Sequence, residues 1–277
     1  MKTYVLITGC SSGIGKHCAL RLREEGYHVI ATARQLEDVI SLKEEGFVAF
    51  QLDLNSSESI QTTLEQILEH TQGNIDILFN NGAYGQPGAV EDLTRDVLKA
   101  QFECNFFGTV ELTNEVIKIM RQQGKGRIVM NSSVLGFVAM KYRGAYNASK
   151  YALEGITDTY RLELKGSGVD MVLIEPGPIE SQFRKNALNA FKQNINIEQS
   201  AHKLSYTAVL DRLGNEAPKS GDFTLPPEAV YKALKQALES PKPKARYYVT
   251  LPTYLFGFLK RVLPTRWLDS ILSRSSG

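Results

Sequence analysis

The segment YNASK places Tyr146 and Lys150 four residues apart. On a helix that spacing sets a phenol and an ammonium on one face, one turn apart. A free tyrosine ionises near pH 10, too high for ready proton exchange at neutrality. An ammonium about 5 Å away, at an effective dielectric near 20, stabilises the phenolate by about 3 kcal/mol, or about two pKa units. Such a pair can give a proton to, or take one from, a substrate oxygen. Taken alone, five residues are better explained as a solvated pair on a surface helix. The elements around them decide between the two readings.

The chain has 277 residues, of which 43% are hydrophobic and 22% charged. That composition is ordinary for a globular protein and long enough for one large α/β domain or two small ones. A formal net charge of +2 gives no reason to expect a nucleic-acid partner. Cys10, Cys18 and Cys104 are odd in number and form no CxxC pair, which argues against a disulfide framework or a zinc site and fits a cytoplasmic setting. His17, His28, His70 and His202 are isolated in the sequence, so no metal is expected. The opening MKTYVLITGC is too short in apolar length for a signal peptide, and no run reaches the roughly 18 apolar residues of a membrane span. No GxSxG elbow is present, which removes a serine hydrolase.

Short apolar runs at 4–8, 27–33, 47–52, 75–80, 126–131, 169–175 and 245–251 read as seven strands. They are nearly continuous in apolar residues, as strands buried on both faces should be. Helical periodicity fills 13–25, 36–45, 57–70, 92–122, 145–165 and 227–239. This alternation predicts a doubly wound, Rossmann-type parallel sheet of seven strands with helices on both faces. A single domain over 1–250 is expected, with 177–225 as a substrate lid and 251–277 as an amphipathic tail.

The first strand runs into TGCSSGIG, residues 8–15. Gly9, Gly13 and Gly15 stand where a strand must turn sharply into a helix. Glycine there permits positive φ and lets a pyrophosphate approach the backbone, while free N–H groups at the helix start bind the anion. The spacing matches neither GxGxxG nor a Walker loop, yet its place after the first strand of a doubly wound sheet points to a dinucleotide. At the end of the second strand a carboxylate would bind the ribose hydroxyl of NAD. This chain has ATARQ, with Arg34 at that point. A guanidinium offers a fork of donors to a 2′-phosphate, so NADP(H) is the expected cofactor.

The ordered set TGCSSGIG, Asp53–Leu54, Asn80–Asn81, Asn105, SSVLG with Ser133, YNASK and EPGPI resembles the short-chain dehydrogenase/reductases. The resemblance spans about residues 3–240. It is similar in particular to the 17β-hydroxysteroid and retinol dehydrogenase branch and to bacterial aldehyde reductases. It implies a catalytic tetrad: Tyr146 as acid/base, Lys150 as its activator, Ser133 as the carbonyl-binding hydroxyl, and Asn105 holding a proton-relay water. For the cofactor it implies Gly9, Ser11, Ser12, Gly13, Ile14 and Gly15 in the turn and Asp53 and Leu54 at the adenine. Asn81 and Gly82 would brace the nicotinamide side, Tyr146 and Lys150 would meet the ribose and nicotinamide, and Pro176, Gly177 and Ile179 the carboxamide, with Ser181 nearby. One departure is NNGA, with Gly82 and Ala83 exchanged relative to the family's usual NNAG.

These residues imply an oxidoreductase that interconverts a carbonyl and an alcohol, working as a homo-oligomer. Phe137, Met140, Phe183, Leu188, Phe191, Leu204 and Tyr206 suggest an apolar pocket and a lipophilic substrate. Two other readings exist: an idle NADP(H) sensor on the same fold, against which the intact Ser133, Tyr146 and Lys150 argue, and a membrane-surface protein using the basic tail. For that tail, packing on the core or on a partner subunit is preferred to membrane-surface contact.

Overall fold

The computed structural model describes residues 2–214 and 223–275. The seven apolar runs form seven strands: β1 (Tyr4–Ile7), β2 (His28–Ala33), β3 (Val48–Gln51), β4 (Ile77–Asn80), β5 (Gly126–Asn131), β6 (Val169–Glu175) and β7 (Arg246–Tyr248). All neighbours are parallel, in the order β3-β2-β1-β4-β5-β6-β7. Because side chains alternate along a strand, each strand feeds two cores. Val5 and Ile7 face one layer, with Cys18 and Leu22 of α1 (Gly13–Glu24), Val39 of α2 (Leu36–Glu44) and Leu234 of α9 (Glu228–Glu239). Leu6 faces the other, with Ile60 of α3 (Ser57–Thr71), Val116 of α5 (Thr109–Gln123) and Leu153 of α6 (Gly144–Glu163). The chain therefore forms the doubly wound α/β sheet that the strand pattern predicts.

Three segments depart from the pattern. The helix expected over 92–122 is broken into a 3₁₀ turn (Val90–Asp92), α4 (Arg95–Phe102), a π-helical stretch (Glu103–Gly108) and α5. The π-helical stretch ends at Gly108, where an added Cβ would stand 1.7 Å from the Leu54 carbonyl oxygen. Asn105 is buried within that stretch. The last strand, expected to reach 251, stops at Tyr248 because Pro252 opens α10 (Leu251–Val262). The described part of 177–225 carries α7 (Phe183–Asn194), a 3₁₀ turn (Ile197–Gln199) and α8 (Lys203–Gly214) around a small core of Ala187, Phe191, Tyr206 and Val209. Residues 215–222 of the expected lid and 276–277 of the tail lie outside the described residues.

The tail folds as α10 and α11 (Thr265–Ser275) with Pro264 between them. Phe256, Leu268 and Leu272 lie against Val134, Leu135 and Val138, in a cluster that also gathers Phe137, Met140 and Tyr146. Leu251, Leu255, Phe258 and Val262 are exposed and share one stripe of α10 by their i, i+4, i+7, i+11 spacing. Among the described residues, no helix is long and apolar enough to cross a membrane.

Candidate active site

The carboxyl ends of β1 and β4 mark the point where strand order reverses, the usual ligand crevice of such sheets. The turn after β1 is built there. Gly9 (φ 70°) and Gly13 (φ 57°) adopt left-handed backbone. A Cβ on Gly9 would lie 2.8 Å from Gly82 Cα, and one on Gly15 would lie 2.1 Å from the Gly9 carbonyl oxygen. Thr8 Oγ1 accepts hydrogen bonds from the N–H groups of Asn81 (2.9 Å) and Gly82 (2.8 Å). That double bond is how the NNGA sequence is held against the turn. Asn81 Nδ2 donates to the carbonyls of Thr8 and Gly9, while its Oδ1 accepts from Asn131 Nδ2 at 2.9 Å. Asn81 thus joins the turn to β5.

Ser12 occupies the N-cap of α1 without making a side-chain capping bond, and the first turn carries no acid. The first-turn amides and the glycine cradle therefore suit a dinucleotide pyrophosphate. Ser11 is exposed at the mouth of the turn, and Ile14 anchors it by reaching into the core. Arg34 follows β2, is exposed, and makes no salt bridge among the described residues. Its charge reaches Tyr84 and Cys104 across the crevice. Asp53 Oδ1 is engaged locally, accepting from the backbone and side chain of Asn55, and Leu54 is buried beside Gly82 and Gly108. At the other end, the Pro176 carbonyl accepts from Val134 N–H at 2.8 Å. A Cβ on Gly177 would lie 2.1 Å from Thr250 Oγ1. Ile179 bridges to Leu225, and Ser181 closes over Gly13.

Tyr146 and Lys150 project from the start of α6. The Ser133 hydroxyl faces the phenol closely enough to oppose part of the effect of burial on it. Ser133 Oγ also accepts from Leu135 N–H at 3.1 Å, which fixes its direction, whereas Ser132 is buried towards Glu154. Lys150 Nζ donates to the Asn131 carbonyl at 2.7 Å and stands 5.7 Å from the centre of the Tyr146 ring. The electrostatics differ from the expectation of a lowered phenol pKa. Burial pushes Tyr146 above its ordinary value, with the Ser133 hydrogen bond opposing it in part. Burial also lowers Lys150 to about 8, against weaker raising effects from Cys104 and Glu154. Desolvation exceeds the attraction between the two groups because both sit in a site of low polarity. The phenol is consequently held in its protonated form, the form that can donate to a carbonyl oxygen.

Asn105 is buried in the π-helical stretch, and its side chain is fully committed. Oδ1 accepts from Tyr84 N–H, and Nδ2 donates to the Tyr84 carbonyl and to Ser149 Oγ. The side chain ties the 84 loop to α6. Sequence reasoning passed over Thr8, Tyr84, Asn131 and Ser149. Asn131 carried a usable signal, since it ends an apolar strand directly before the two serines.

The pocket residues divide. Phe137 and Met140 lie in the cluster with Tyr146. The Phe183 ring meets Tyr146 edge-on, with centroids 5.2 Å apart, and rests on Gly85, where an added Cβ would come within 2.6 Å of it. Phe191, Tyr206 and Leu188 instead form the lid's own core, and Leu204 is exposed. Tyr206 is fixed by bonds to Asp92 and to Ala89 N–H. Two histidines expected to be isolated pair with carboxylates distant in sequence, His17 with Glu228 at 2.8 Å and His202 with Glu91 at 2.7 Å. Local spacing gives no sign of such long-range pairs.

Behind Tyr146 and Lys150, Glu154 (one turn beyond Lys150) and Glu175 (before Pro176) are buried around Arg246. Arg246 Nη2 lies 3.2 Å from Glu154 and 2.8 Å from Asp158, and its Nε lies 3.6 Å from Glu175. Burial, then the charge of Glu154, pushes Glu175 up to about 9, and burial raises Glu154 as well. A carboxyl raised on folding keeps a proton that the unfolded chain loses above its ordinary value of 4.5. Its contribution to stability is therefore complete below that value and is lost as pH rises towards about 9. Glu175→Gln is expected to flatten the fall in Tm between pH 6 and pH 9 by several degrees, about 2–4 °C per kcal/mol of stability. Thermal melts at the two pH values check this, and an unchanged slope would place the proton elsewhere.

A family model for short chain dehydrogenases matches residues 3–191. The chain is 41% identical over 272 residues to the uncharacterized oxidoreductase YbbO of Escherichia coli, covering 98% of this chain and 94% of that protein. It is 32% identical to human 17-beta-hydroxysteroid dehydrogenase type 1, covering 90% and 78%. It is 30% identical to the NADPH-dependent 3-dehydrocapnine reductase of Ornithobacterium rhinotracheale, covering 97% and 95%. The chain belongs to the short-chain dehydrogenase/reductase family of oxidoreductases.

Proposed function

We propose that the chain is an NADP(H)-dependent oxidoreductase that interconverts an aldehyde or ketone and its alcohol on a lipophilic small molecule. The observation that carries this reading is the line from Ser133 through Tyr146 to Lys150, with the phenol kept protonated by burial. When bound, the cofactor supplies or accepts the hydride. The chain's residues do the rest. Ser133 presents its hydroxyl where negative charge develops on the carbonyl oxygen. Tyr146 gives that oxygen its proton, and Lys150 stabilises the phenolate left behind. Asn105 fixes the 84 loop and α6 relative to each other, and Phe183 covers the phenol and excludes water.

Arg34 at the end of β2, free of carboxylate partners among the described residues, supports NADP(H) over NAD(H). The NADPH-dependent relative supports the same choice. An apolar wall of Phe137, Met140, Leu259 and Leu263 supports a lipophilic substrate, with 177–225 serving as its lid. Three free cysteines suit a cytoplasmic protein. The exposed stripe on α10 supports a homo-oligomer, which sedimentation would detect as a mass above that of one chain.

Oxidation of NADPH and NADH against a panel of aldehydes, ketosteroids and retinal tests the proposal. NADPH is expected to be preferred with at least one class of carbonyl. Arg34→Asp is expected to shift the ratio of kcat/KM values towards NADH by about 10- to 100-fold, the worth of one or two charged hydrogen bonds. An unchanged ratio would remove Arg34 from the reading.

A further inference from the structure

Arg143 sits at the N-cap of α6, three residues before Tyr146. Its Nη1 donates to Met140 Sδ at 2.9 Å, a weak acceptor for so strong a donor. Met140 belongs to the apolar cluster that contains Tyr146. Among the described residues no carboxylate lies within ion-pair distance of Arg143 or of the partly buried Arg212 on α8. Arg184 follows Phe183, whose ring meets Tyr146. The three cations are close enough for Arg212 and Arg184 to disfavour the charge on Arg143, which burial already lowers to about 9. The first turn of α6 carries no acid, and helix N-termini bear positive partial charge. Buried charges are ordinarily paired. The Arg143 guanidinium stands at the substrate end of the site with the Met140 sulfur as its side-chain partner, while Arg184 is engaged with Thr224 Oγ1 at 3.4 Å, and this leaves a planar fork of donors on Arg143 available to an oxyanion.

We propose that Arg143, with Arg212 beside it, is an anion anchor at the lid end of the substrate site. The substrate class is then an amphiphile: an apolar body against Phe137 and Met140, a carbonyl at Tyr146, and a carboxylate, sulfonate or phosphate held by the arginine fork. The word substrate rests on the reading of the site as a carbonyl reductase, whereas the anchor itself does not.

Isothermal titration of the full chain with octanoate, octane sulfonate and the uncharged octanamide tests the anchor without turnover. The two anions are expected to bind at least about tenfold more tightly than the amide, the effect of one charged hydrogen bond. Arg143→Met is expected to remove that preference and Arg143→Lys to keep part of it, because a point charge lacks the fork. Should Arg143→Met fail to fold, Arg212→Met is expected to reduce the preference. Equal affinity for octanoate and octanamide in the wild type overturns the proposal, as does an unchanged preference in the variant that folds. A parallel measurement of NADPH-dependent turnover, on one aldehyde with and without a terminal carboxylate, separates the two readings. Binding preference without turnover of either aldehyde leaves the anchor and sinks the reductase. Turnover of both at equal kcat/KM, with no binding preference, does the reverse.

Discussion

Tyr146→Phe is expected to lower kcat for carbonyl reduction by about 10²- to 10⁴-fold, the range over which a positioned acid accelerates proton transfer. NADPH binding is expected to survive, because the substitution removes one oxygen and leaves the ring on Phe183. Ser133→Ala should cost less, about 10²- to 10³-fold, because it removes one donor to the developing charge and leaves the acid in place. The pH profile adds a second readout. Lys150 is fully charged only below about 8, and its charge is what stabilises the phenolate that donation creates. Reduction is therefore expected to slow as pH rises through that value, and Lys150→Met to remove the step along with most of the activity. Steady-state kinetics with NADPH from pH 6 to pH 10 read both effects. A Tyr146→Phe enzyme as fast as wild type would remove the phenol from the chemistry.

The second large effect belongs to the turn. Gly15→Ala would place a methyl group 2.1 Å from the Gly9 carbonyl oxygen and 2.6 Å from Asn81 Nδ2. Both neighbours are fixed, the first by left-handed backbone and the second by bonds to Thr8, Gly9 and Asn131. The turn must open, which misplaces the amides that face the pyrophosphate. NADPH affinity, read by fluorescence titration, is expected to fall by about 100-fold or more, equivalent to about 3 kcal/mol. Gly82→Ala is the contrast. Its Cβ would meet Thr8 Oγ1 at 3.2 Å, a contact that small shifts relieve, so affinity within a few-fold of wild type is expected. Gly15→Ala with unchanged affinity would mean that the turn does not carry the dinucleotide.

The sheet was legible because its signal is local. Continuous apolar runs such as VDMVLIE stay apolar wherever the chain places them, and all seven became strands within a few residues of their expected ends. Tyr146 and Lys150 were legible as a pair because one helical turn sets them on one face, and Ser133 was joined to them by the family resemblance. What failed depended on contacts between distant segments. The π-helical stretch at 103–108 ends where Gly108 approaches Leu54, a contact between distant segments that no periodicity records. The lowered phenol pKa was expected from the Lys150 charge alone, and burial, a property of the whole fold, outweighs it. Arg143 had no local signal at all, since RGAY reads as surface until the lid covers it.

The most direct test of the proposed chemistry follows the hydride. The protein would be incubated with NADPH deuterated at the transferable C4 position and an aldehyde or ketone that it turns over, and the alcohol examined by mass spectrometry and NMR. One deuterium at the carbinol carbon, with about 10²- to 10⁴-fold less deuterated alcohol from Tyr146→Phe over the same time, is the expected result. Oxidation of NADPH without deuterium at that carbon would contradict a carbonyl reductase, as would no alcohol from any carbonyl in the panel.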